Sequence, residues 1–287
     1  MFFQNSSLNK AIVRLSLALL VGSAVFFAVS THAAELSEIR ERGYLVVGVK
    51  DNLRPLGFRD ATGGLQGLEI DLARQLAAAL LGDADAVELQ PLPNQDRLPA
   101  LLEDRVDILV ARVGVTASRA RLVDFSDPYY IDGTAFLTRD PAIQSLRDLR
   151  HQPIAVLTGS DTIATVRSLL PRVQLVGADS YEDAKMLLET HQAVAFAADA
   201  SVLTGWTQED PVYRLLPNLI SAEVLAVAMP KGVRFNDLRQ QVNQAILQLQ
   251  SNGWIRERVQ YWGLPAAGVP SPTSLSEREV ESELDAE

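Results

Sequence analysis

The chain has 287 residues, with 26 basic and 36 acidic side chains, a net charge of −10 and no cysteine. The absence of cysteine excludes disulfides, thiolate metal sites and lipid attachment through an N-terminal cysteine. The acidic balance argues against nucleic acid as a partner, because phosphate binding depends on clustered Lys and Arg.

Residues 1–34 are predicted to form a cleavable signal peptide. Lys10 and Arg14 precede or begin an apolar run over residues 15–29, and residues 30–34 offer small side chains for cleavage. The run is short for a membrane span, which needs about 20 apolar residues; an uncleaved anchor is the alternative. The remaining chain carries 24 basic and 36 acidic side chains, a net charge of −12. We expect a secreted, periplasmic or extracytoplasmic protein that is not a lipoprotein.

The first part of the mature chain predicts a βαβα order. Strands are predicted over residues 44–49, 87–89 and 106–110, because each is a short and nearly continuous apolar run. Helices are predicted from Leu68 to Leu80, where leucines recur at helical spacing, and over residues 98–102. This order predicts a mostly parallel sheet with helices on both faces.

The same order restarts after residue 150, which predicts a second lobe. Strands are predicted over residues 154–157, 173–176 and 193–197, and helices over residues 162–170, 181–190 and from Asp199 onward. Extended segments over residues 133–137 and 225–230 are predicted to join the lobes, and a long helix over residues 236–250 follows the second segment. Two crossover strands form a natural hinge.

The predicted fold class is therefore α/β, a two-lobed clamp in which each lobe is a mostly parallel sheet flanked by helices, with two crossover hinge strands. The first lobe is predicted to be discontinuous, over residues 35–134 and 227–265, and the second lobe to span residues 138–223. Residues 266–287 lack apolar periodicity and are rich in acidic side chains, so we predict a disordered acidic tail.

A candidate anion socket lies in the loop after the third predicted strand. Arg119 follows Thr116, a residue that can cap a helix, by three positions. A helix start offers free N–H groups and a positive dipole end, and arginine adds a planar fork that fits a carboxylate. We interpret this stretch as a socket for the α-carboxylate of a small ligand; the alternative is a surface arginine on a capped helix.

Several motifs, in their order and spacing, resemble the bacterial extracellular solute-binding proteins of family 3, which bind polar amino acids for ABC importers. The motifs are residues 45–49, 67–72, 124–130, 229–232 and 261–263, together with the Thr116 and Arg119 pair. The resemblance covers residues 36–264. It implies a type II periplasmic-binding-protein clamp that closes over one amino acid. It also implies that the protein is a monomer and that its partners are an ABC permease and its ATPase subunits. We predict no cofactor and no metal site.

The resemblance also implies which residues hold the two ends of the amino acid. Arg119 and the backbone N–H groups of Gly114 and Thr116 are expected to bind the α-carboxylate. Gly114 departs from the usual pattern, because many relatives carry a hydroxyl there. Asp199 matches the position that pairs with the α-ammonium; the alternative is an N-cap, for which aspartate is favoured.

Two further loops are expected to face the ligand. Ser160, Asp161 and Thr162 follow a predicted strand and begin a helix, so their N–H groups can add donors from the second lobe; the alternative is an ordinary helix cap. Asp51, after the first strand, is a second candidate acceptor for the ammonium, or else a turn residue.

Basic residues indicate an acidic ligand. The aromatic rings that several relatives place around the ligand are absent. Lys50 and Arg97 instead occupy positions where the glutamate- and aspartate-binding members that resemble this chain carry basic side chains. Arg112 occupies a position where a small residue is commoner, and Asn94 lies on the same loop as Arg97. Three cations around one pocket repel each other unless an anion joins them. We predict glutamate or aspartate as ligand, with glutamine or another neutral polar amino acid as the alternative.

An enzyme is the alternative class, because the same fold hosts cyclohexadienyl dehydratases. The sequence offers no nucleophile with a base, and His32, His151 and His191 lack metal-ligand spacing. A dehydratase needs a positioned general acid, for which Glu69 and Glu223 are the available glutamates; we interpret both as structural. We therefore predict a binding protein without catalytic residues.

Overall fold

The computed structural model describes residues 35–270, which form two large sheets with helices packed on them. The predicted signal peptide and residues 271–287 of the predicted tail lie outside the described residues. Between residues 35 and 270, every helix is too short or too polar to cross a membrane.

The strands build two five-stranded sheets and one small sheet. They are β1 (Leu45–Val49), β2 (Asn52–Leu53), β3 (Gly57–Arg59), β4 (Leu65–Gln66), β5 (Val87–Pro91), β6 (Ile108–Val110), β7 (Asp124–Asp132), β8 (Thr134–Thr138), β9 (Pro153–Leu157), β10 (Gln174–Ala178), β11 (Ala195–Asp199), β12 (Arg214–Leu215) and β13 (Glu223–Met229). The first sheet has the order β5-β1-β6-β13-β7, the second sheet has the order β10-β9-β11-β8-β12, and β2, β3 and β4 form the small sheet.

The helices cover the two large sheets. They are α1 (Leu36–Arg42), α2 (Leu68–Leu81), α3 (Arg97–Leu102), α4 (Thr162–Leu169), α5 (Tyr181–Glu189), α6 (Ala200–Glu209), α7 (Asn236–Ser251) and α8 (Trp254–Tyr261). The five helices predicted within the lobes and the long helix after the second crossing are confirmed as α2 to α7. The sequence reasoning missed α1 and α8, which are only seven and eight residues long.

The predicted two-lobed α/β fold is confirmed, and so are its mostly parallel sheets. β1, β5 and β6 are mutually parallel, and so are β9, β10 and β11. One strand of each sheet, β13 in the first and β8 in the second, runs antiparallel to its neighbours. β7 and β12 pair antiparallel with these strands and so point the same way as the other three, which makes both sheets mostly parallel with one reversed strand. β8 and β13 are the strands that enter their sheet from the other lobe, so they do not need the helical crossover that joins parallel neighbours.

Separate hydrophobic cores support the two lobes. Leu72 and Leu76 of α2 and Ile246 of α7 are fully buried against the first sheet, because their helical spacing places them on one face. In the second lobe Phe196 of β11 stacks on Trp206 of α6, with ring centroids 5.2 Å apart. Each sheet therefore has its own apolar support, and the charged residues between the lobes are not needed for either core.

The chain passes between the sheets twice, and the two crossings lie side by side. Gly133 separates β7 from β8, and the return path runs from β12 to β13. The backbone N–H of Thr134 donates to Ser221 Oγ at 2.8 Å, and Ile220 N donates to the Thr134 carbonyl at 2.8 Å. A Cβ on Gly133 would lie 2.1 Å from the Ser221 carbonyl oxygen, so this approach requires glycine. Glu223, the predicted last residue of the second lobe, instead begins β13 of the first sheet.

The described C-terminal segment packs on the fold. Residues Ala266–Gly268 form a turn of 3-10 helix, and Gly268 is buried. A Cβ on Gly268 would lie 2.4 Å from the Tyr130 ring, and Tyr130 Oη donates to the Pro265 carbonyl at 3.2 Å. These contacts contradict the prediction that a disordered tail begins at residue 266; they bury small residues, which leave no periodic signal in the sequence.

Candidate functional site

The candidate site lies where the carboxyl ends of parallel strands from both sheets face each other. β1 and β6 of the first sheet lead into Lys50 and into the loop that holds Arg112 and Arg119. β9 and β11 of the second sheet lead into the loop before α4 and end in Asp199, respectively. Ligands of open α/β sheets bind beyond the carboxyl ends of the strands, so we call this space the cleft.

One guanidinium in the cleft contacts three carboxylates. Arg112 Nη2 lies 2.5 Å from Asp199 Oδ2 and donates to Glu223 Oε2 at 3.0 Å, and Arg112 Nε lies 3.6 Å from Asp132 Oδ2. We call these four residues the arginine–carboxylate cluster. Because Arg112 follows β6 of the first sheet and Asp199 ends β11 of the second, their ion pair joins the two lobes.

The cluster carries more negative than positive charge, and this shifts its pKa values. Burial raises the pKa of Asp199 to about 6; Arg112 opposes this rise, while Asp132 and Glu223 add to it. Burial lowers the pKa of Arg112, but the three carboxylates outweigh burial and the net direction is upward. The guanidinium therefore stays charged, and Asp199 is the carboxylate that a further cation would stabilise.

Asp132 is fully buried and is held by the start of α6. Its Oδ1 accepts from the backbone N–H groups of Gly133 at 2.9 Å and Ser201 at 3.1 Å, and its Oδ2 accepts from the Ser201 hydroxyl at 2.5 Å. A helix start compensates a buried carboxylate through its N–H groups and dipole. Asp199 and Glu223 have less support: within residues 35–270, Arg112 is the one basic side chain that forms an ion pair with either.

Arg119 lies against the same loop. Its Nη1 donates to the Gly114 carbonyl at 2.8 Å, and Gly114 forms an antiparallel bridge to Leu225 of β13. A Cβ on Gly114 would lie 2.2 Å from Glu223 Oε1. Arg119, Gly114, Glu223 and Arg112 therefore form a continuous row of contacts that leads to Asp199. The row brings the two residues predicted for the ligand's ends to one cleft; their roles toward a ligand stay predictions.

The helix expected after Thr116 is a single 3-10 turn, Arg119–Arg121. The exposed Thr116 accepts from Arg119 N at 3.3 Å and lies 3.0 Å from Ser118 Oγ. A helix dipole needs several aligned peptide units. An anion socket here therefore depends on the Arg119 guanidinium and the loop N–H groups, and the contribution expected from a helix start is small.

Arg97 braces the loop that holds Arg112. Its Nη1 donates to the carbonyls of Ala111 at 2.5 Å and Arg112 at 2.8 Å, and its Nε donates to the Asn94 carbonyl at 3.2 Å. Burial lowers the pKa of Arg97, and the buried Glu69 carboxylate opposes that shift. Arg97 and Asn94 thus support the loop from behind through backbone carbonyls.

Lys50 and Asp51 are also engaged by the protein. Lys50 is only 4% exposed, and its Nζ donates to the Leu92 carbonyl at 3.3 Å. Burial, followed by Arg97, lowers the pKa of Lys50. Asp51 Oδ2 accepts from Arg59 Nε at 3.1 Å, an ion pair on the turn that follows β1. Of the three predicted cations, Arg112 is paired with carboxylates, whereas Lys50 and Arg97 have backbone carbonyl partners and no ion pair within residues 35–270.

The second lobe contributes the loop before α4. Ser160 donates to the Leu157 carbonyl through Oγ at 2.8 Å and through its backbone N–H at 3.1 Å, which closes the turn after β9. Asp161 is the N-cap of α4 and makes no side-chain cap hydrogen bond, and Thr162 is the first residue of the helix. An uncapped helix start offers N–H groups to an anion. Asp161 contributes to the raised pKa of Asp199, so this loop lies near the cluster.

Asp132 and Tyr181 belong to the site but were not predicted. Glu223, which the sequence analysis interpreted as structural, is a counter-ion of Arg112 in the site. Tyr181 packs edge-on against Trp206, with centroids 5.9 Å apart, and burial and Asp199 raise its pKa. It lines a cavity of about 220 Å³ together with Trp206 and residues 52–54 of the first lobe. The one signal in the sequence is that Asp132 stands at the end of a strand, directly before the first crossing.

Known proteins resemble this chain in sequence and structure. The glutamine-binding protein of Geobacillus stearothermophilus is 34% identical over 203 residues, which cover 69% of this chain and 77% of that protein. The glutamate-binding protein GluB of Corynebacterium efficiens is 30% identical over 176 residues, covering 59% of this chain and 60% of GluB. The crystal structure of the solute receptor for L-cysteine of Neisseria gonorrhoeae superimposes with a TM-score of 0.65 at 29% identity, covering 83% of this chain and 100% of the receptor.

The family match spans both lobes and the cleft. Residues 45–265 match the family described as bacterial extracellular solute-binding proteins, family 3. This range runs from the first residue of β1 past the end of α8 and contains the whole arginine–carboxylate cluster. The resemblance noted in the sequence motifs is thereby confirmed, and the chain belongs to the bacterial extracellular solute-binding proteins of family 3.

Proposed function

We propose that this protein binds one polar L-amino acid outside the cytoplasmic membrane and delivers it to an ABC importer. The observation that supports this most is the arrangement of charge in the cleft. Arg119 on the first lobe and Asp199 on the second belong to one row of contacts, and a zwitterion needs a cation and an anion in the same cleft. The names of the glutamine- and glutamate-binding relatives fit this function.

Binding is proposed to proceed by closure of the lobes. Arg119 and the N–H groups of Gly114 and Thr116 take the α-carboxylate, with additional donors from the loop at Ser160 and the start of α4. Asp199 takes the α-ammonium, which supplies a cation to a cluster that has excess negative charge. A ligand stabilises the closed state only through contacts that the open state lacks, so groups on both lobes are required. The paired crossings at Gly133 and Ser221 serve as the hinge.

We favour a neutral polar side chain, such as that of glutamine. The prediction of an acidic ligand depended on unpaired charge at Lys50, Arg97 and Arg112. Arg97 donates to backbone carbonyls, and Arg112 pairs with carboxylates. Because carboxylates of the protein already pair with Arg112, repulsion among these cations is a weaker reason to require a ligand carboxylate. The glutamine-binding relative is similar over more of the chain than the glutamate-binding one.

Glutamate or aspartate is the second candidate, and Lys50 is the observation that favours it. Its ammonium has a carbonyl partner at 3.3 Å and forms no ion pair within residues 35–270. A ligand carboxylate that reached Lys50 would gain a charge-assisted hydrogen bond. Calorimetry of the wild type and of Lys50→Met with L-glutamine and L-glutamate separates the candidates. If glutamate is the ligand, Lys50→Met should weaken glutamate binding and leave glutamine binding nearly unchanged.

Arg119→Ala tests the proposed binding function. A carboxylate buried without its charged partner loses about 2–5 kcal/mol, so calorimetry should show glutamine affinity reduced roughly a hundredfold. Arg121→Ala is the matched control, because Arg121 is exposed on the same 3-10 turn. Wild-type affinity in Arg119→Ala would refute the proposed carboxylate site. Thermal unfolding that is unshifted by all twenty amino acids would refute the function itself.

We further propose that the protein is not an enzyme. Glu69, one candidate acid, is fully buried and accepts from Tyr129 Oη and Arg112 N, both at 2.6 Å, which gives it a structural part. Glu223 is held by Arg112. A general acid must reach the substrate, and neither contact pattern suits that task. Turnover of prephenate or arogenate by purified protein would contradict this proposal and favour a dehydratase.

The remaining parts of the proposal follow from membership of the family. The permease with its ATPase subunits is the partner, the mature protein acts as a monomer, and the signal peptide over residues 1–34 directs secretion. We propose that the chain passes from one lobe to the other at the two crossings, near the lobe boundaries expected from the sequence. Mass spectrometry of the exported protein tests the cleavage, and light scattering tests the monomer.

A further inference from the structure

Arg112 occupies an unusual backbone conformation for its residue type. Its φ is +50°, in the left-handed region, which favours glycine and is tolerated by asparagine. Its backbone N–H donates to Glu69 Oε1 at 2.6 Å, and its carbonyl accepts from Arg97. These two backbone bonds do not depend on the side chain. The guanidinium is therefore present at a position whose backbone conformation favours glycine or asparagine.

The surroundings of Arg112 are shaped to hold its counter-ion. The Glu223 carboxylate fills the space that a Cβ on residue 114 would occupy, at 2.2 Å from Oε1. A side chain at position 114 would displace Glu223 from Arg112. Arg112, Gly114 and Glu223 thus depend on one another: a cation, a carboxylate and the glycine that makes room for it.

Charges in the cluster can be matched with their partners. Asp132 is satisfied by Gly133 and by the start of α6. Asp199 and Glu223 then share the single positive charge of Arg112. One carboxylate charge is left without a cation, which corresponds to one ligand ammonium.

We propose that Arg112 is a specificity-determining residue that acts as a resident cation in the cleft. With Arg112 in place, the arginine–carboxylate cluster takes a single ligand ammonium, and a ligand with a second cationic group, such as lysine or ornithine, finds no free carboxylate there. This inference rests on the proposed function, because it assumes that an amino acid binds with its ammonium at Asp199. It adds the reason why the protein discriminates against cationic amino acids.

Arg112→Gly is the test variant. Glycine suits the positive φ and preserves both backbone hydrogen bonds, so the loop should keep its shape. Without the guanidinium, Asp199 and Glu223 can each take a ligand cation. Calorimetry with L-glutamine and L-lysine should show the ratio of lysine to glutamine affinity rising about tenfold or more, the effect of one charge-assisted hydrogen bond. The ratio cancels any loss of closure that affects both ligands. Arg112→Asn, which also tolerates this φ, is the second variant should Arg112→Gly unfold.

Arg112→Gly/Glu223→Gln is the matched control. It removes the second carboxylate with the guanidinium, so the lysine preference gained by Arg112→Gly should disappear. A wild-type protein that binds lysine as tightly as glutamine would overturn the inference, and so would an unchanged ratio in the folded variants. Wild-type protein that binds no amino acid would instead refute the proposed function and the inference with it. Wild-type binding of glutamine with an unchanged ratio in the variants refutes the inference alone.

Discussion

Asp199 differs from an ordinary surface aspartate because its proton and a ligand ammonium compete for the same carboxylate. Burial and the neighbouring carboxylates raise its pKa to about 6, although Arg112 lies 2.5 Å away and opposes the rise. The ordinary value for an aspartate is 3.8. In the folded, unliganded protein Asp199 therefore binds its proton in a pH range where a free aspartate is already ionised.

The affinity for a neutral amino acid should consequently depend on pH. The ligand's ammonium binds the ionised carboxylate, so binding is strongest above pH 6 and weakens as the pH falls through 6, by about tenfold per unit once Asp199 is protonated. Glutamine itself stays zwitterionic over this range. Calorimetry at pH 5, 6 and 7.5 measures the slope. Asp199→Asn should bind weakly with little slope between these values; a slope equal to that of the wild type would show that another group titrates.

Which residues of the site could be predicted depends on how local their chemistry is. Arg119 and Asp199 lie in short motifs at strand ends, so their position in the sequence was informative. The partners of Arg112 were not local, because Glu223 lies 111 positions away along the chain. Arg97 donates to backbone carbonyls, which every residue has and no sequence pattern marks. The prediction of an acidic ligand counted the three cations without these partners, and it stays a prediction.

At the scale of elements, α6 connects the site with the contact between the lobes. It begins directly after Asp199 and receives the Asp132 carboxylate at Ser201. Gly205, one turn further, faces the first lobe so closely that a Cβ would lie 2.5 Å from the Arg54 carbonyl oxygen. Gln208 Nε2 then donates to the Trp262 carbonyl, beyond α8, at 2.6 Å. α6 is thus a helix of the second lobe that contacts the first lobe.

Gly205→Ala should separate the effects on folding and on binding. Alanine is the better helix former by about 1 kcal/mol, so urea unfolding should show no loss of stability in the ligand-free protein. The new methyl group collides with the Arg54 carbonyl only when the lobes are together. Overpacking costs about 1–3 kcal/mol, so calorimetry should show glutamine affinity reduced about tenfold or more. Unchanged affinity would mean that α6 and the Arg54 turn do not meet in the ligand-bound state.

Elements were predicted where burial is periodic and missed where it is not. Leucines at helical spacing marked α2, which buries Leu72 and Leu76 against the first sheet. α8 is short and is separated from α7 only by the turn at Gly253, whose φ is +84°. In the sequence, α8 is therefore hard to distinguish from the end of α7. The direction of β8 and β13 depends on which lobe each strand joins, a long-range property that local apolar runs do not encode.

At the scale of the whole molecule, the two lobes touch through charged and polar contacts. The contacts are the Arg112–Asp199 ion pair, the Gln208–Trp262 hydrogen bond and the packing of Gly205 on Arg54. The apolar cores stay within each lobe. Opening the cleft therefore breaks polar contacts and exposes little core, which keeps the free-energy difference between open and closed states small.

Removal of the Arg112–Asp199 pair should shift the ligand-free protein toward an open form. A partly exposed ion pair contributes up to about 1 kcal/mol, enough to change the ratio of closed to open molecules several-fold. Small-angle X-ray scattering should therefore give a larger radius of gyration for ligand-free Arg112→Gly than for the wild type, and saturating glutamine should compact the variant more. Arg239→Gln is the control, because Arg239 pairs with Asp124 at 3.1 Å within the first lobe and its loss leaves the cleft intact. Equal radii for wild type and Arg112→Gly, with and without glutamine, would show that this bridge does not influence closure.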